Sequence, residues 1–214
     1  MNDQAKEFLR ILKLLSDNDC LEHVVVIGSW AEFVYRESGL LPGFTPNIKT
    51  NDCDFLCKNL RKPNPEINLV KILEDDGYLI EADIMHQACK IHAKSGFEIE
   101  FLLGKKGAGK ELTLKSNFGF YMITLWHVEV LLNNTITTNC FGINVDVPKP
   151  EAYVLQKIVI NASRERKKEK DDVSIKGLWN FLNKNEFDRI LKSLNRKEQN
   201  AVQKYLEINN LHFS

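Results

Sequence analysis

Hydrophobic and polar positions in the first half of the chain follow two distinct patterns. The unbroken apolar run Val24–Ile27 ends at a glycine and a serine, which is typical of a buried strand followed by a turn. Alternation of polar and apolar residues appears at Asp52–Cys57 and again at Phe97–Leu103, as in half-buried strands. Together with helical spacing elsewhere, the pattern predicts strands at 24–27, 52–57, 78–84, 89–94 and 97–103, and helices at 3–16, 29–37 and 63–75.

The last third of the chain has helical spacing throughout. The element Pro148-Lys149-Pro150 separates it from what precedes, because proline is tolerated in the first turn of a helix and not inside one. Helices are predicted at 151–169, 171–183, 185–193 and 196–208, the last two opening after Asn185 and Asn195. We therefore predict an α+β fold. A mixed sheet with flanking helices would form one domain in residues 1–148, with a helical region packed on it in residues 149–214.

Two acidic residues lie in the second predicted strand. Asp52 and Asp54 are two positions apart, so their side chains share one face, whereas Cys53 points to the opposite face with Phe55 and Cys57. Mg²⁺ prefers hard anionic oxygen ligands and is usually held by a few carboxylates together with water and phosphate oxygens. Asp52 and Asp54 are therefore candidate ligands of Mg²⁺ or Mn²⁺. The alternative is the solvated face of an amphipathic strand.

A third carboxylate is expected from the predicted strand 97–103. Its apolar positions alternate with Glu98 and Glu100, which share the other face. Acidic residues are poor strand formers, so two of them in one strand call for a reason. We assign Glu100 to the site because the apolar run Phe101–Leu103 follows it directly; for either glutamate a solvated face is the alternative.

Gly28 and Ser29 stand between a predicted strand and a predicted helix. The first N–H groups of a helix have no partner within the helix, and they favour bound phosphate. Small residues at this point let a phosphate approach the backbone. The order of strand, Gly-Ser, helix and acidic strand therefore predicts a site for a metal ion and a nucleoside triphosphate.

Gly28-Ser29, the element Thr50-Asn51-Asp52-Cys53-Asp54 and a later strand bearing Glu100 resemble the nucleotidyltransferase superfamily of the polymerase-beta fold. That superfamily combines Gly-Ser or Gly-Gly with Asp-x-Asp and a later acidic strand. The Thr-x-Asp-x-Asp form is similar to minimal nucleotidyltransferases and to the toxin components of bacterial abortive-infection systems. The resemblance covers about residues 20–175, and it departs from the family at Glu100, where aspartate is more common.

This resemblance implies roles for the residues that carry it. Asp52, Asp54 and Glu100 would be catalytic metal ligands, and Gly28, Ser29 and Thr50 would bind the nucleotide. The implied reaction moves a nucleoside monophosphate from a triphosphate such as ATP to a hydroxyl acceptor. That acceptor could be an RNA or tRNA end, a protein or a small molecule, and a toxin-like enzyme would have an antitoxin partner.

A basic stripe follows in the predicted helix 151–169. At helical spacing, Lys157 shares one face with Asn161, Arg164 and Lys168. Lysine and arginine at this spacing suit triphosphate oxygens or an RNA backbone. We assign Lys157 to nucleotide binding and keep Arg164 as a further candidate; an exposed basic face is the alternative.

The resemblance adds one more element to this helix. Members of the subgroup carry a Lys-Asp pair near its end, for which Lys170 and Asp171 are the candidates. In the related pattern a second acid follows three residues later, where this chain has Ser174. Lys170 and Asp171 are therefore carried over without that acid.

Charge and cysteine content add little to these assignments. Lysine plus arginine and aspartate plus glutamate both number 29, but the residues from 149 onward carry a net charge of +5 and the first 148 carry −5. This asymmetry suits an enzyme that binds polyanions between two parts. An odd number of cysteines, without regular spacing, argues against a disulfide framework. With no apolar run long enough for a membrane span, we expect a cytoplasmic protein.

The segment Gly104–Lys110 has the Gly-x4-Gly-Lys spacing of a phosphate-binding loop. Glu111 follows it, where such a loop needs a serine or threonine hydroxyl for Mg²⁺, and the next residues alternate like a strand. We interpret this segment as a flexible basic turn.

Two other classes of function remain open on the sequence. One is a phosphotransferase or nucleotidase that uses the same metal. The other is a nucleic-acid-binding or antitoxin-like regulatory module that has lost catalysis. Asp52 and Asp54 favour an enzyme, because a binding module gains nothing from carboxylates that repel phosphate without a metal.

Overall fold

The computed structural model describes residues 2–46, 48, 50–82, 88–105, 112–161 and 168–213. The helices in these ranges are α1 (Asp3–Asp17), α2 (Ser29–Glu37), α3 (Leu69–Asp75), α4 (Glu129–Leu132), α5 (Pro150–Asn161), α6 (Lys168–Trp179), α7 (Lys184–Ser193) and α8 (Arg196–Asn209). The strands are β1 (Val24–Ile27), β2 (Asp52–Cys57), β3 (Leu79–Ala82), β4 (Cys89–His92), β5 (Glu98–Gly104), β6 (Thr113–Lys115), β7 (Tyr121–Leu125), β8 (Thr135–Cys140) and β9 (Ile143–Pro148). The predicted α+β fold is confirmed.

Seven of the described strands form one mixed sheet in which β1, β2, β5, β4 and β3 lie side by side. β2 runs parallel to β5, whereas β1 is antiparallel to β2. The first part of β5 pairs with β4 and its last part pairs with β7, which in turn pairs with β6. β8 and β9 form a separate hairpin. The sheet is therefore mixed, as the alternating strands predicted.

The two faces of the sheet differ in chemistry because side chains alternate along each strand. One face carries Cys53, Phe55, Ile99 and Phe101, which are buried in the main hydrophobic cluster with α1, α2 and α3. The opposite face carries the acidic residues of β2 and β5. Beyond those acids it becomes apolar, with a smaller buried cluster made by Val25, Ile27, Leu56, Leu102, Val128 and Leu131.

Two predicted helix starts were wrong. The helix expected from Pro63 begins only at Leu69, where the side chain of Asn68 accepts a hydrogen bond from the backbone N–H of Lys71. Residues that precede a proline disfavour helical backbone, and an asparagine cap supplies a better start. Likewise α7 is capped by Asn183 and not by Asn185. The start of α8 after Asn195 is confirmed, and it forms a capping box with Glu198.

The long helix predicted at 151–169 ends at Asn161 in the described part of the chain, and α6 begins at Lys168. The stripe of Lys157 and Asn161 was predicted to face solvent or a ligand, but both side chains are buried. The reason is that α5 lies among α4, α6, α7 and α8 instead of on the surface. Its sequence is therefore apolar on most sides, with a few buried polar residues.

The main hydrophobic cluster includes residues from both predicted domains. Val145 and Val147 of β9 share it with Ile158 of α5, and with Ile175 and Leu178 of α6. One hydrophobic core thus includes residues on both sides of the predicted boundary at residue 148. The division into two domains stays a prediction. All five cysteines are free thiols. Among the described residues, no helix is long and apolar enough to cross a bilayer.

Candidate active site

A cavity of about 320 Å³ opens between the acidic face of the sheet and helices α5 and α6. Its lining combines apolar residues of the sheet and α4 with polar and charged residues. It is bordered by every predicted site residue that the structure describes, namely Gly28, Ser29, Thr50, Asp52, Asp54, Glu100, Lys157, Lys170 and Asp171. Arg164 lies outside the described residues. Positions spread over more than half of the chain therefore meet at one cavity.

Strand register brings the carboxylates to this cavity. Asp54 of β2 lies opposite Glu100 of the parallel strand β5, and Asp52 lies opposite Glu98. Glu100 borders the cavity, whereas the half-exposed Glu98 points its carboxylate toward His92, at 3.9 Å from Nδ1. The choice of Glu100 over Glu98 stays a prediction, and of the two glutamates Glu100 is the one that borders the cavity.

The donor chemistry of these carboxylates fits a hard divalent cation. Asp52 and Asp54 supply anionic oxygens from one strand face, and Mg²⁺ commonly takes one or two carboxylates and completes its shell with water and phosphate. Within the described ranges, however, no three histidine, cysteine, aspartate or glutamate side chains are grouped closely enough to hold a metal ion. The expected convergence of three carboxylates into a site the size of one ion is thus absent from this arrangement.

Gly28 makes the tightest approach in the site. Its φ of +66° and ψ of −155° lie in a region that is essentially limited to glycine. A Cβ atom added there would lie 2.7 Å from Oδ2 of Asp54. Gly28 caps α2, and Ser29 opens the helix with a side chain that is 8% exposed. The glycine therefore lets the helix N-terminus and the Asp54 carboxylate lie side by side.

Cys53 lies between the two aspartates in sequence but not in space, because its side chain is in the core. Burial raises the pKa of this thiol well above its usual value, and the carboxylates of Asp54 and Asp52 raise it further. Cys53 is therefore held as a neutral thiol and is no nucleophile.

Lys157 reaches the cavity from α5, and its side chain is only 9% exposed. Its Nζ lies 2.9 Å from Oδ1 of Asp171 on α6, whose side chain is also buried. The same Nζ lies 4.9 Å from the ring centroid of Tyr153, within cation–π range. The lysine is thus fixed at the wall of the cavity by a carboxylate and a ring.

Sequence comparison bears on what such a cavity is for. A nucleotidyltransferase family model matches residues 6–200. The protein belongs to the nucleotidyltransferase family. This confirms the predicted resemblance to nucleotidyltransferases. No curated protein matches the chain by sequence.

Solved structures of other nucleotidyltransferases share the fold of this one. An antigenic nucleotidyltransferase-like protein from Paracoccidioides brasiliensis superposes with a TM-score of 0.55 at 15% identity, over 93% of this chain and 86% of that one. ANT(2")-Ia, solved in complex with adenylyl-2"-tobramycin, superposes with a TM-score of 0.54 at 13% identity, over 95% of this chain and 99% of that one. At such identities the likeness concerns the fold alone.

Sequence reasoning missed two buried polar residues of this nucleotidyltransferase. The Tyr153 hydroxyl donates a hydrogen bond of 2.7 Å to Oε1 of Glu32, and both side chains are buried. Burial raises the pKa of the tyrosine well above its usual value, and the Glu32 carboxylate adds to the shift. A glutamate between Ala31 and Phe33 in an apolar helix was the available signal, since such a residue needs a partner when it is buried.

Proposed function

We propose that this family member transfers a nucleoside monophosphate from a nucleoside triphosphate such as ATP to a hydroxyl group, with Mg²⁺ or Mn²⁺ as the metal. One observation carries the proposal: a single cavity is bordered by the N-terminus of α2, by Asp52, Asp54 and Glu100, and by the buried Lys157. The helix N-terminus would bind phosphate, the carboxylates would bind a metal ion, and the lysine would offset the charge of the leaving group.

Each residue has a defined part in this reaction. Asp52 and Asp54 would hold the metal, and Glu100 borders the same cavity. When bound, the metal would supply positive charge to the phosphates and lower the pKa of the acceptor hydroxyl. Backbone N–H groups at Gly28 and Ser29 would bind the β and γ phosphates, because the N-terminus of a helix favours anions.

The bond changes are those of in-line phosphoryl transfer. The acceptor hydroxyl gives up its proton to solvent, and its oxygen bonds to the α-phosphorus as the bond from that phosphorus to the bridging oxygen breaks. Pyrophosphate leaves with the bridging oxygen. Lys157 would offset the negative charge that develops on pyrophosphate. Thr50 lies two residues before β2 and would contact the nucleotide beside Asp52.

The acceptor class divides into small molecules and macromolecules. The complex of ANT(2")-Ia with adenylyl-2"-tobramycin makes a hydroxyl-bearing small molecule one candidate. An RNA end or a protein hydroxyl is the other, and a toxin role with an antitoxin partner in the cytoplasm would belong to it. The net charge of +5 from residue 149 onward supports a polyanionic acceptor.

Transfer of label from each of the four α-labelled nucleoside triphosphates, with Mg²⁺ and a total lysate, tests the proposal. We expect one or more triphosphates to label a single acceptor class, and an excess of chelator to stop the labelling. The size and the nuclease or protease sensitivity of the product identify the acceptor. Absence of labelling with all four triphosphates, or labelling that persists in chelator, would overturn the proposal.

A further inference from the structure

The buried contact between Tyr153 and Glu32 has no part in the reaction as proposed. Glu32 is 1% exposed and Tyr153 is 2% exposed, so each is cut off from water. Burying a carboxylate carries a large free-energy cost unless hydrogen bonds or charges compensate it. A contact that is this costly to bury, next to a cavity, calls for an account of what it holds in place.

The contact joins the two helices that serve the phosphates. Glu32 lies in the first turn of α2, next to the N-terminus that begins at Ser29. Tyr153 lies one helical turn before Lys157 in α5, so the two side chains share one face of that helix. The 2.7 Å hydrogen bond therefore links the phosphate-binding end of α2 to the lysine-bearing segment of α5.

The ring of Tyr153 also limits where the lysine can lie. Its centroid is 4.9 Å from Nζ of Lys157, on one side, and Oδ1 of Asp171 is 2.9 Å away. A lysine side chain has a flexible four-carbon stem and loses much rotamer entropy when it is fixed. A ring held in place by Glu32 reduces that loss at the moment when nucleotide binds.

We infer that Tyr153 is a positioning residue, held by Glu32, that sets the Lys157 ammonium at the correct distance from the phosphates bound by α2. The inference rests on the proposed function, because it assigns a role within that same cavity. Misplacement of a reacting or binding group by about 1 Å can lower catalysis by about a hundredfold. The hydroxyl of Tyr153 therefore acts on catalysis without touching the substrate.

Tyr35 offers a matched control in the same layer. It is fully buried, and its hydroxyl donates a 2.7 Å hydrogen bond to the backbone carbonyl of Pro148. Its ring packs edge-on against that of Tyr153, with centroids 6.0 Å apart, but it does not border the cavity. Tyr35→Phe and Tyr153→Phe each remove one buried hydroxyl and leave the ring in place.

The test compares nucleotide KM, kcat and free energy of unfolding for the two variants. We expect similar losses of stability, since each variant loses one buried hydrogen bond. Tyr153→Phe should lower kcat/KM for the nucleotide by about tenfold to a hundredfold, whereas Tyr35→Phe should stay within about twofold of wild type. Two substitutions of Glu32 give the same comparison. Glu32→Gln keeps an oxygen that can accept from the Tyr153 hydroxyl and should retain activity, whereas Glu32→Leu removes that oxygen and should lose activity.

If the wild-type protein transfers nucleotide and the two tyrosine variants have equal kcat/KM, this inference alone is overturned. If Tyr153→Phe does not fold, Glu32→Gln against Glu32→Leu decides, and equal activity of those two would overturn it in the same way. A wild-type protein that transfers nothing from any triphosphate would instead overturn the proposed function, and the inference with it.

Discussion

At the scale of single residues, the tightest constraint in the site is the approach of Gly28 to Asp54. Any side chain at position 28 would meet Oδ2 at 2.7 Å and would require a positive φ. Gly28→Ala should therefore lower stability by about 1–3 kcal/mol through backbone strain and also displace the Asp54 carboxylate. We expect transfer activity to fall below detection, measured beside urea unfolding of the same samples.

Gly39 provides the control for this substitution. It also has a positive φ, of +72°, but a Cβ added there meets nothing within 4 Å. Gly39→Ala should lose about 1–2 kcal/mol of stability through the backbone alone and keep its activity. Loss of activity in Gly39→Ala, or full activity in Gly28→Ala, would contradict the link between the glycine and Asp54.

A second prediction concerns the aspartates themselves. Asp52→Asn and Asp54→Asn should each abolish transfer, because an amide is a poor ligand for Mg²⁺ compared with a carboxylate. Stability should be unchanged or slightly higher, since one of several neighbouring negative charges has been removed. Thermal unfolding checks the fold, and Glu98→Gln, on the same face but turned toward His92, should stay active. Wild-type turnover in either asparagine variant rules out the proposed metal role.

The acidic side of the cavity could be predicted because strand alternation has a fixed period of two. Once Asp52–Cys57 and Phe97–Leu103 were assigned as strands, the shared face of Asp52, Asp54 and Glu100 followed. The partners of Lys157 could not be predicted in this way. Its burial depends on where α6 packs, and no local pattern fixes a contact between two helices.

At the scale of elements, the junction of α5 and α6 is held by the buried pair of Lys157 and Asp171. Lys157→Met should lower stability by about 3 kcal/mol or more, because Asp171 loses a cation at 2.9 Å. The double variant Lys157→Met with Asp171→Leu should recover part of that loss, because a buried pair replaced by apolar residues is often neutral.

Nucleotide affinity separates this structural effect from the proposed role of Lys157. Every variant without the lysine should bind triphosphate more weakly, including a double variant whose stability is restored. A double-mutant cycle measured by urea unfolding, beside nucleotide titration, makes the comparison. Wild-type affinity in the stable double variant would show that the lysine serves only the fold.

The presence of a helix or strand was easier to predict than the residue at which it begins. β1, α2 and β2 were predicted with the bounds that the structure has, because the apolar run Val24–Ile27 and the alternation at Asp52–Cys57 have sharp edges. The starts of α3 and α7 were wrong because asparagines compete as caps. Asn68 and Asn183 accept from backbone N–H groups, and nothing in the spacing of apolar residues distinguishes them from their neighbours.

At the scale of the whole molecule, Glu186 of α7 connects the C-terminal helices to the junction between the β8–β9 hairpin and α5. Its carboxylate accepts hydrogen bonds from Arg189 and from Lys149, the residue between β9 and α5. Hydrogen bonds from Arg189 and then Lys149 lower the pKa of Glu186 to about 2. Since its unfolded pKa is about 4.3, its contribution to stability is full above that pH and is lost as the pH falls through about 2.

Glu186→Gln should therefore cost stability at neutral pH, and this cost should shrink as the pH falls toward 2. The expected loss is small, about 1 kcal/mol or less, because the group lies near the surface and solvent screens it. Urea unfolding of both proteins across pH 2–7 gives the difference. A difference for Glu186→Gln that stays constant over this range would contradict the assignment.

The acceptor class can be tested at the same scale. Arg166 and Lys167 belong to the basic segment after α5 and lie outside the described residues. Replacing both by alanine should weaken transfer to a nucleic-acid acceptor and flatten its dependence on salt, because each lost phosphate contact removes about one released counterion. Transfer to a small molecule or a protein should change far less. Unchanged salt dependence with an RNA acceptor would exclude this segment from RNA binding.

The shared hydrophobic cluster determines when, during synthesis, the cavity can be assembled. A nascent chain that ends before α5 holds Gly28, Asp52, Asp54 and Glu100 but lacks the helix that supplies Lys157. It also lacks the apolar side chains of α5 and α6 that complete the core around β9. Chain order thus delays the assembled cavity until the C-terminal helices have left the ribosome, so a truncated product would hold Asp52, Asp54 and Glu100 without Lys157 opposite them.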